Sequence, residues 1–247
     1  MVIWNRVLDS MLQRVATVLF VLSIPLLLIT SNVRWAANEP RLYDYSFDRY
    51  DAEARTGIAR SELDYAARDL IRYFNDGRPT IQTLVTQDGQ RVPLYNERET
   101  SHLHDVKDLF RTVFRAQEAS LAFALVYVVG VFVWAGEASL RFLARAVLAA
   151  SLFTLALLGL AAFGALVGFD ALWARFHMLA FTNDLWQLNP DTDHLIQMFP
   201  EGFWLDATLL VAGLTAVEAL ALLAAATAYL RLRLRWRVAV PVGQPGA

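Results

Sequence analysis

Four stretches of this chain are apolar for about the ~20 residues that a helix needs to cross a bilayer core. They are Val15 to Val33, Ala119 to Gly136, Ala146 to Phe169 and Ala207 to Leu230, each bounded by charge, and only the last holds a carboxylate or a basic side chain, Glu218. In hydrocarbon an isolated strand leaves its backbone N–H and C=O groups unpaired, so each stretch reads as a helix. The expected class is therefore membrane all-α, a four-transmembrane-helix bundle. A composition that is 56% hydrophobic with 19% charge agrees with it.

Arginine placement sets the topology. Arg231, Arg233, Arg235 and Arg237 follow the last stretch, and Arg141 and Arg145 lie in the short connection between the second and third. Both places read as cytoplasmic. The segment 170–206 holds one arginine and six acids and reads as outward-facing. Both termini are then inside a bacterial cell membrane, and 34–118 and 170–206 face out. The first stretch is long for a signal-peptide core and contains Pro25, so it reads as an uncleaved anchor. The tail, 231–247, ends in the polar PVGQPGA, read as disordered.

Several function classes fall away. A net charge of −2 gives no basic field for nucleic acid. With no cysteine, disulfides, thiolate nucleophiles and cysteine metal sites are excluded.

Residues 34–118 carry the signals of a small mixed α/β extracytoplasmic cap. Leu63, Ala66, Ala67, Leu70 and Phe74 recur at helical spacing in SELDYAARDLIRYFNDG, with an S-x-x-D cap at Ser61 and Gly77 as terminator. Thr80 to Thr86 reads as a strand, Asp88-Gly89 as a hairpin turn, and Gln90 to Tyr95 as an edge strand because of Pro93. Residues 34–60 show no clean period and are expected to be loop with short strands.

All four histidines lie on the outer side: His102, His104, His177 and His194. Leu103, Val106, Phe110, Val113 and Phe114 mark 96–118 as a helix, on which His102 and His104 point apart and cannot share one ion. His102 and Asp105 share a face, so the carboxylate is placed to bond one ring nitrogen and raise the basicity of the other. Spacing alone favours a solvated histidine beside a helix acid. His177, Trp173, Trp186 and Trp204 suit an aromatic belt at the headgroups, and Asn183 suits a turn. His194 falls in the first turn of a short helix, Asp193 to Phe199, as a surface residue. Glu218 is expected to be a protonated acid bonded across helices, with Thr17, Ser23 or Thr154 as partner.

If the 96–118 helix continued straight into the second span, His102 would stand about 25 Å beyond Ala119. His177 follows its own span closely. For the two to meet, 97–118 is expected to bend and lie along the membrane surface.

At two places the chain resembles the bacterial lipoprotein intramolecular transacylase family of integral membrane proteins. One is Glu97-Arg98-Glu99 followed by His102-Leu103-His104-Asp105-Val106-Lys107. The other is Phe176-His177 through Asn183, Trp186, Leu188, Pro190, Asp193, Leu195-Ile196, Phe199-Pro200 and Phe203. Pro25, LIRYFNDG and the four-span plan extend the resemblance over nearly the whole chain. It implies an acyltransferase, without cofactor or metal, whose partners are diacylglyceryl-modified bacterial lipoproteins and membrane lipid. Such an enzyme moves the sn-2 acyl chain of the S-diacylglyceryl cysteine to that cysteine's α-amine, leaving a lyso-form lipoprotein.

On the same resemblance His102 and His177 are the catalytic pair, base and acid in an order left open; we assign Asp105 to orienting His102 and Asn183 to positioning His177 or the developing oxyanion. Phe176, Phe181 and Trp186 wall the pocket, and Asp193 ties the loop. Transfer within one substrate needs no acyl-enzyme, so the absence of a cysteine nucleophile is no objection. Two other classes stand beside it: a non-catalytic membrane sensor or lipoprotein-binding protein, and a metal-dependent hydrolase using three histidines.

Overall fold

A computed structural model describes residues 2–87 and 89–239, with side chains described over 11–232 except 88, 137, 166 and 167. In chain order the elements are α1 (Val2–Asn38), α2 (Pro40–Arg49), α3 (Ala52–Thr56), α4 (Arg60–Asn75), β1 (Leu84–Gln87), β2 (Gln90–Pro93), α5 (Glu97–Ala135), a 3-10 turn (Gly136–Ala138), α6 (Ser139–Ala180), α7 (His194–Met198) and α8 (Glu201–Ala239). The strands pair antiparallel, with Leu84 opposite Pro93 and Gln87 opposite Gln90. Among the described residues four helices are long and apolar enough to cross a membrane, within Met11–Asn38, Glu97–Ala135, Ser139–Ala165 and Glu201–Leu232. The expected class, four spans with a small hairpin-bearing part, is the one found. The tail 241–247 and Asp88 of the expected turn lie outside the described residues.

The chain divides into two compact units. One comprises Met1–Ile29, Gln117–Leu160 and Leu214–Ala247. Its core is Phe20, Ala124, Tyr127, Val131 and Ala146, with Phe20 and Tyr127 stacked at 4.2 Å. The Tyr127 hydroxyl donates to Thr17, while Thr17, Ser23 and Thr154 donate into their own helices. Leu125, Val126, Val129 and Val133 of α5 are largely exposed. Such an apolar surface is stable only against lipid.

The other unit comprises Thr30–Ala116 and Ala161–Gly213. Its core gathers Phe47, Ile58, Leu63, Leu70, Tyr73, Val85, Leu94, Leu103, Met198, Phe199 and Phe203 from α2, α4, β1, α5, α7, α8 and the turns between them. The inward positions of α4 include those expected from its spacing. Its start differs: Ala59 is the cap, without a side-chain bond, and Ser61 already lies inside the helix. Arg60, bonded to Asp64 one turn on, occupies the first position instead. The strand expected from Thr80 begins only at Leu84.

Residues 34–60 are helical rather than loop. Pro40, with its φ preset and no N–H to lose, opens α2, and the Glu39 carboxylate accepts the Arg41 N–H. A left-handed Gly57 (φ 67°) ends α3. Lys107, the chain's only lysine, is fully buried. Its Nζ donates to the Arg78 carbonyl at 2.7 Å and the Asp76 carboxylate at 3.2 Å, and sits 3.9 Å from the Tyr73 ring centre.

The expected break at the head of the second span is absent: Glu97–Ala135 is one helix. Instead α6 runs past Phe169 to Ala180, and its backbone leaves the helical region at Gly168 (φ 164°, ψ 99°). The reach of α6 carries His177 on a helix that the sequence placed in a loop.

Candidate active site

His102, in the second turn of α5, and His177, in the last turn of α6, belong to the same compact unit. Their ring centroids are 6.2 Å apart. The relationship on which the sequence reading depended is thus present between residues 75 positions apart in the chain. Both rings are buried, at 6% and 7% exposure, which displaces the picture of a solvated or headgroup-anchored histidine.

Aromatic side chains enclose the pair. Phe181 lies against both, at 5.2 Å from His102 and 5.7 Å from His177. Trp186 stacks on His177 at 4.8 Å, and Trp173 and Phe176 meet it edge-on at 4.6 and 5.2 Å. Trp204 stacks on Trp173 at 5.1 Å. The tryptophans expected in an interfacial belt form this enclosure.

The hydrogen bonds fix one ring and leave the other open. His177 Nδ1 is 2.9 Å from the Trp173 carbonyl one turn back, an acceptor only. It therefore carries the proton there, and the Nε2 lone pair is free to accept one. His102 Nδ1 is buried without a hydrogen-bond partner. A buried polar atom left open in this way marks a place where another polar group belongs.

Asp105 does not bond His102. It accepts the Asn183 amide at 2.9 Å, and the Asn183 carbonyl oxygen accepts the Leu185 N–H at 3.0 Å. Asn183 therefore makes no bond to His177 either, and the two expected orienting residues tie the loop after α6 to α5. Asp193 is buried and accepts from the Asn189 N–H, the Asn96 amide and the Thr192 hydroxyl. His194 is half-buried against the Leu94 carbonyl at 2.7 Å, and His104 meets the Pro79 carbonyl at 2.9 Å. Among the described residues no three histidine or carboxylate side chains converge as a metal set.

His102 lies in the charged leading part of α5, with Glu97, Glu99, Asp105, Lys107, Asp108, Arg111 and Arg115, ahead of the apolar run that begins at Ala119. That part lies outside the hydrocarbon. Burial pushes its ring down to about 4, reinforced by the neighbouring His177 ring and opposed by the Asp105 carboxylate. Burial also lowers His177 below the ordinary histidine value, opposed by its bond to the Trp173 carbonyl. Both imidazoles are therefore neutral near pH 7, one N–H and one lone pair each.

The sequence reading quoted Glu99 in its first motif without giving it a role, and the side chain is 1% exposed. It accepts the Leu195 N–H at 2.6 Å and the Asn96 N–H at 2.8 Å. Its sequence signals were its place in the Glu97-Arg98-Glu99 motif and the Asn96-x-x-Glu99 capping pattern.

Residues 18–204 match the sequence model of the family described as lipoprotein intramolecular transacylase Lit. Solved structures of the membrane integral lipoprotein intramolecular transacylase Lit from Bacillus cereus share the fold. One has 19% identity and a TM-score of 0.74, covering 93% of this chain and 100% of that one. A histidine-to-arginine variant of that protein, also 19% identical, has a TM-score of 0.71 over 96% of this chain and 100% of its own. A histidine-to-alanine variant, again at 19%, has 0.70 over 94% and 99%. No curated protein sequence matches.

Proposed function

Since this chain belongs to the lipoprotein intramolecular transacylase family, an acyltransferase family of multi-pass membrane proteins acting on lipoproteins, we propose that it transfers the sn-2 acyl chain of an S-diacylglyceryl cysteine to the α-amine of that cysteine. The observation that carries this reading is the buried pair His102 and His177, 6.2 Å apart inside one aromatic enclosure. Both termini are cytoplasmic in this reading, and the pair works at the outer membrane–water interface, where the ester and the amine of one substrate molecule both lie.

His177 is the better base, because its Nδ1–H bond to the Trp173 carbonyl fixes the tautomer and favours the protonated ring. As the neutral amine attacks the ester carbonyl, an N–C bond forms and the amine proton passes to His177 Nε2. As the bond from the acyl carbon to the glycerol oxygen breaks, His102 takes that proton on one nitrogen and gives the glycerol oxygen the proton on its other. Both rings begin and end neutral, an amide replaces an ester, and no water enters. Only one ring carries charge at a time, in keeping with the mutual repulsion that lowers His102. The aromatic walls of Phe176, Phe181 and Trp186 hold a flexible lipid in a near-attack shape, which is where the largest gain in rate is available.

The test is expression in bacteria lacking this modification, with lipoprotein N-termini read by mass spectrometry. Wild-type protein converts diacylglyceryl forms to N-acyl lyso-forms, and His102→Ala or His177→Ala lowers conversion by about 10²- to 10⁴-fold. Unchanged diacyl forms with the wild-type protein would reject the activity. Full conversion by either variant would reject the histidine roles.

A further inference from the structure

The loop between α6 and α7, residues 181–193, carries Phe181 and Trp186, which wall both histidines. Its near end is tied to α5 by the Asn183–Asp105 bond and by Arg98 donating to the Asp184 carbonyl at 2.6 Å. Its far end is tied by a denser, buried set. The Asn96 amide donates to Asp193 at 2.9 Å, and Asp193 accepts the Asn189 N–H at 2.8 Å. Beside them one Glu99 oxygen accepts the Leu195 N–H, and the other accepts the Asn96 N–H in a reciprocal cap in which Glu99 N–H donates to Asn96 at 3.0 Å.

Glu99 stands three residues before His102, so it shares that residue's helical face. Each oxygen faces an N–H, and an acid with two acceptor oxygens meets both needs at once. The mechanism assigns it no proton, yet it is among the most deeply buried polar side chains of the unit. We propose that Glu99 is a positioning residue of the histidine pair, holding the far end of the 181–193 loop so that Trp186 stays stacked on His177 beside His102. Burial raises the Glu99 carboxyl, and the Leu195 and Asn96 N–H groups oppose that rise by favouring the ionised acceptor form.

A glutamine at this position turns an NH2 group toward one of the two N–H donors, so a single bond is replaced by a donor facing a donor. The kinetic consequence rests on the transacylase reading, and the structural one does not. The experiment measures, in full-length detergent-solubilised protein, kcat and KM on a diacylglyceryl lipopeptide together with the ring titrations of nitrogen-15-labelled histidines by NMR. In Glu99→Gln, kcat is expected to fall about 10- to 100-fold with KM little changed. The His177 titration is expected to move up toward the ordinary value as Trp186 loosens and water reaches the ring. Unchanged kcat together with unchanged His102 and His177 titrations would overturn the proposal. A wild-type protein without transacylation whose His177 titration still moves in Glu99→Gln would sink the activity and leave the positioning role standing. If Glu99→Gln does not fold, Glu99→Asp decides by the same two readouts, since it keeps the charge and draws the oxygens back by about one bond length, ~1.5 Å.

Discussion

Asp105 lies one helical turn beyond His102, yet its carboxylate takes its hydrogen bond from Asn183, 78 residues away, at 2.9 Å. The acid that spacing alone assigns to the imidazole is engaged in holding the loop, and His102 Nδ1 is left open.

Asp105→Asn keeps an oxygen for Asn183 to bond and removes only a charge. Conversion is expected to fall by less than about 10-fold, whereas loss of a true acid–base partner costs about 10²- to 10⁴-fold. Initial rates of lyso-form production separate the two, and a loss at the upper end would restore Asp105 as the orienter of His102.

Trp186 contributes a stacked face to His177 at 4.8 Å. Such a pair is worth about 0.5–1.5 kcal/mol beyond burial, so Trp186→Ala should lower kcat/KM about 3- to 10-fold. Trp186→Phe should recover most of it. Equal rates for the alanine and wild-type proteins would show that the stack does not serve the reaction.

Acid should loosen the site before it denatures the rest. His102 titrates at about 4 when folded and near 6.5 when exposed. Between those values the unfolded chain holds the extra proton, so stability is full above about 6.5 and declines as pH falls toward 4. For this ring alone the decline is on the order of 3 kcal/mol. Thermal unfolding from about pH 7.5 to about pH 4.5 should show this slope in the wild type and a shallower one in His102→Gln.

Asp206 near the start of α8 accepts the hydroxyls of Tyr45 at 2.8 Å and Tyr50 at 2.6 Å. A Cβ added at Gly202 would stand 2.8 Å from the Tyr50 hydroxyl and ring edge. Gly202→Ala gains helix propensity of about 1 kcal/mol, but it displaces a rigid ring from a charge-assisted bond worth about 1.5–3 kcal/mol. The expected net result is destabilisation, read as a lower unfolding temperature. A higher one would mean that Tyr50 moves aside freely.

The four spans were legible because length and absence of charge are properties of the chain alone. The histidine pair was legible in kind, as two groups meant to meet, while the route was not. Asp170 and Arg175 resembled the end of a helix, although after the break at Gly168 the backbone resumes a helix that reaches Ala180. With α6 reaching that far, a bend in α5 was not needed. Residues 34–60 hid their helices for a different reason. The inward face of α2 is Tyr43, Ser46 and Phe47, and the central member is polar because its hydroxyl donates to the Met198 carbonyl at 2.7 Å, 152 residues on. The part Glu99 plays was obscure on the same ground, since its partner Leu195 lies 96 residues away and the local capping pattern accounts only for its bond to Asn96.

On the proposed reading, an enzyme that activates an acyl ester toward an amine runs the risk of acylating itself. Here the one ε-amine in the chain, on Lys107, is sealed under the Tyr73 ring and engaged by Asp76 and Arg78. No lysine of the folded protein is left to compete as acyl acceptor, and amine-directed crosslinkers should leave its side chains unmodified until the fold is lost.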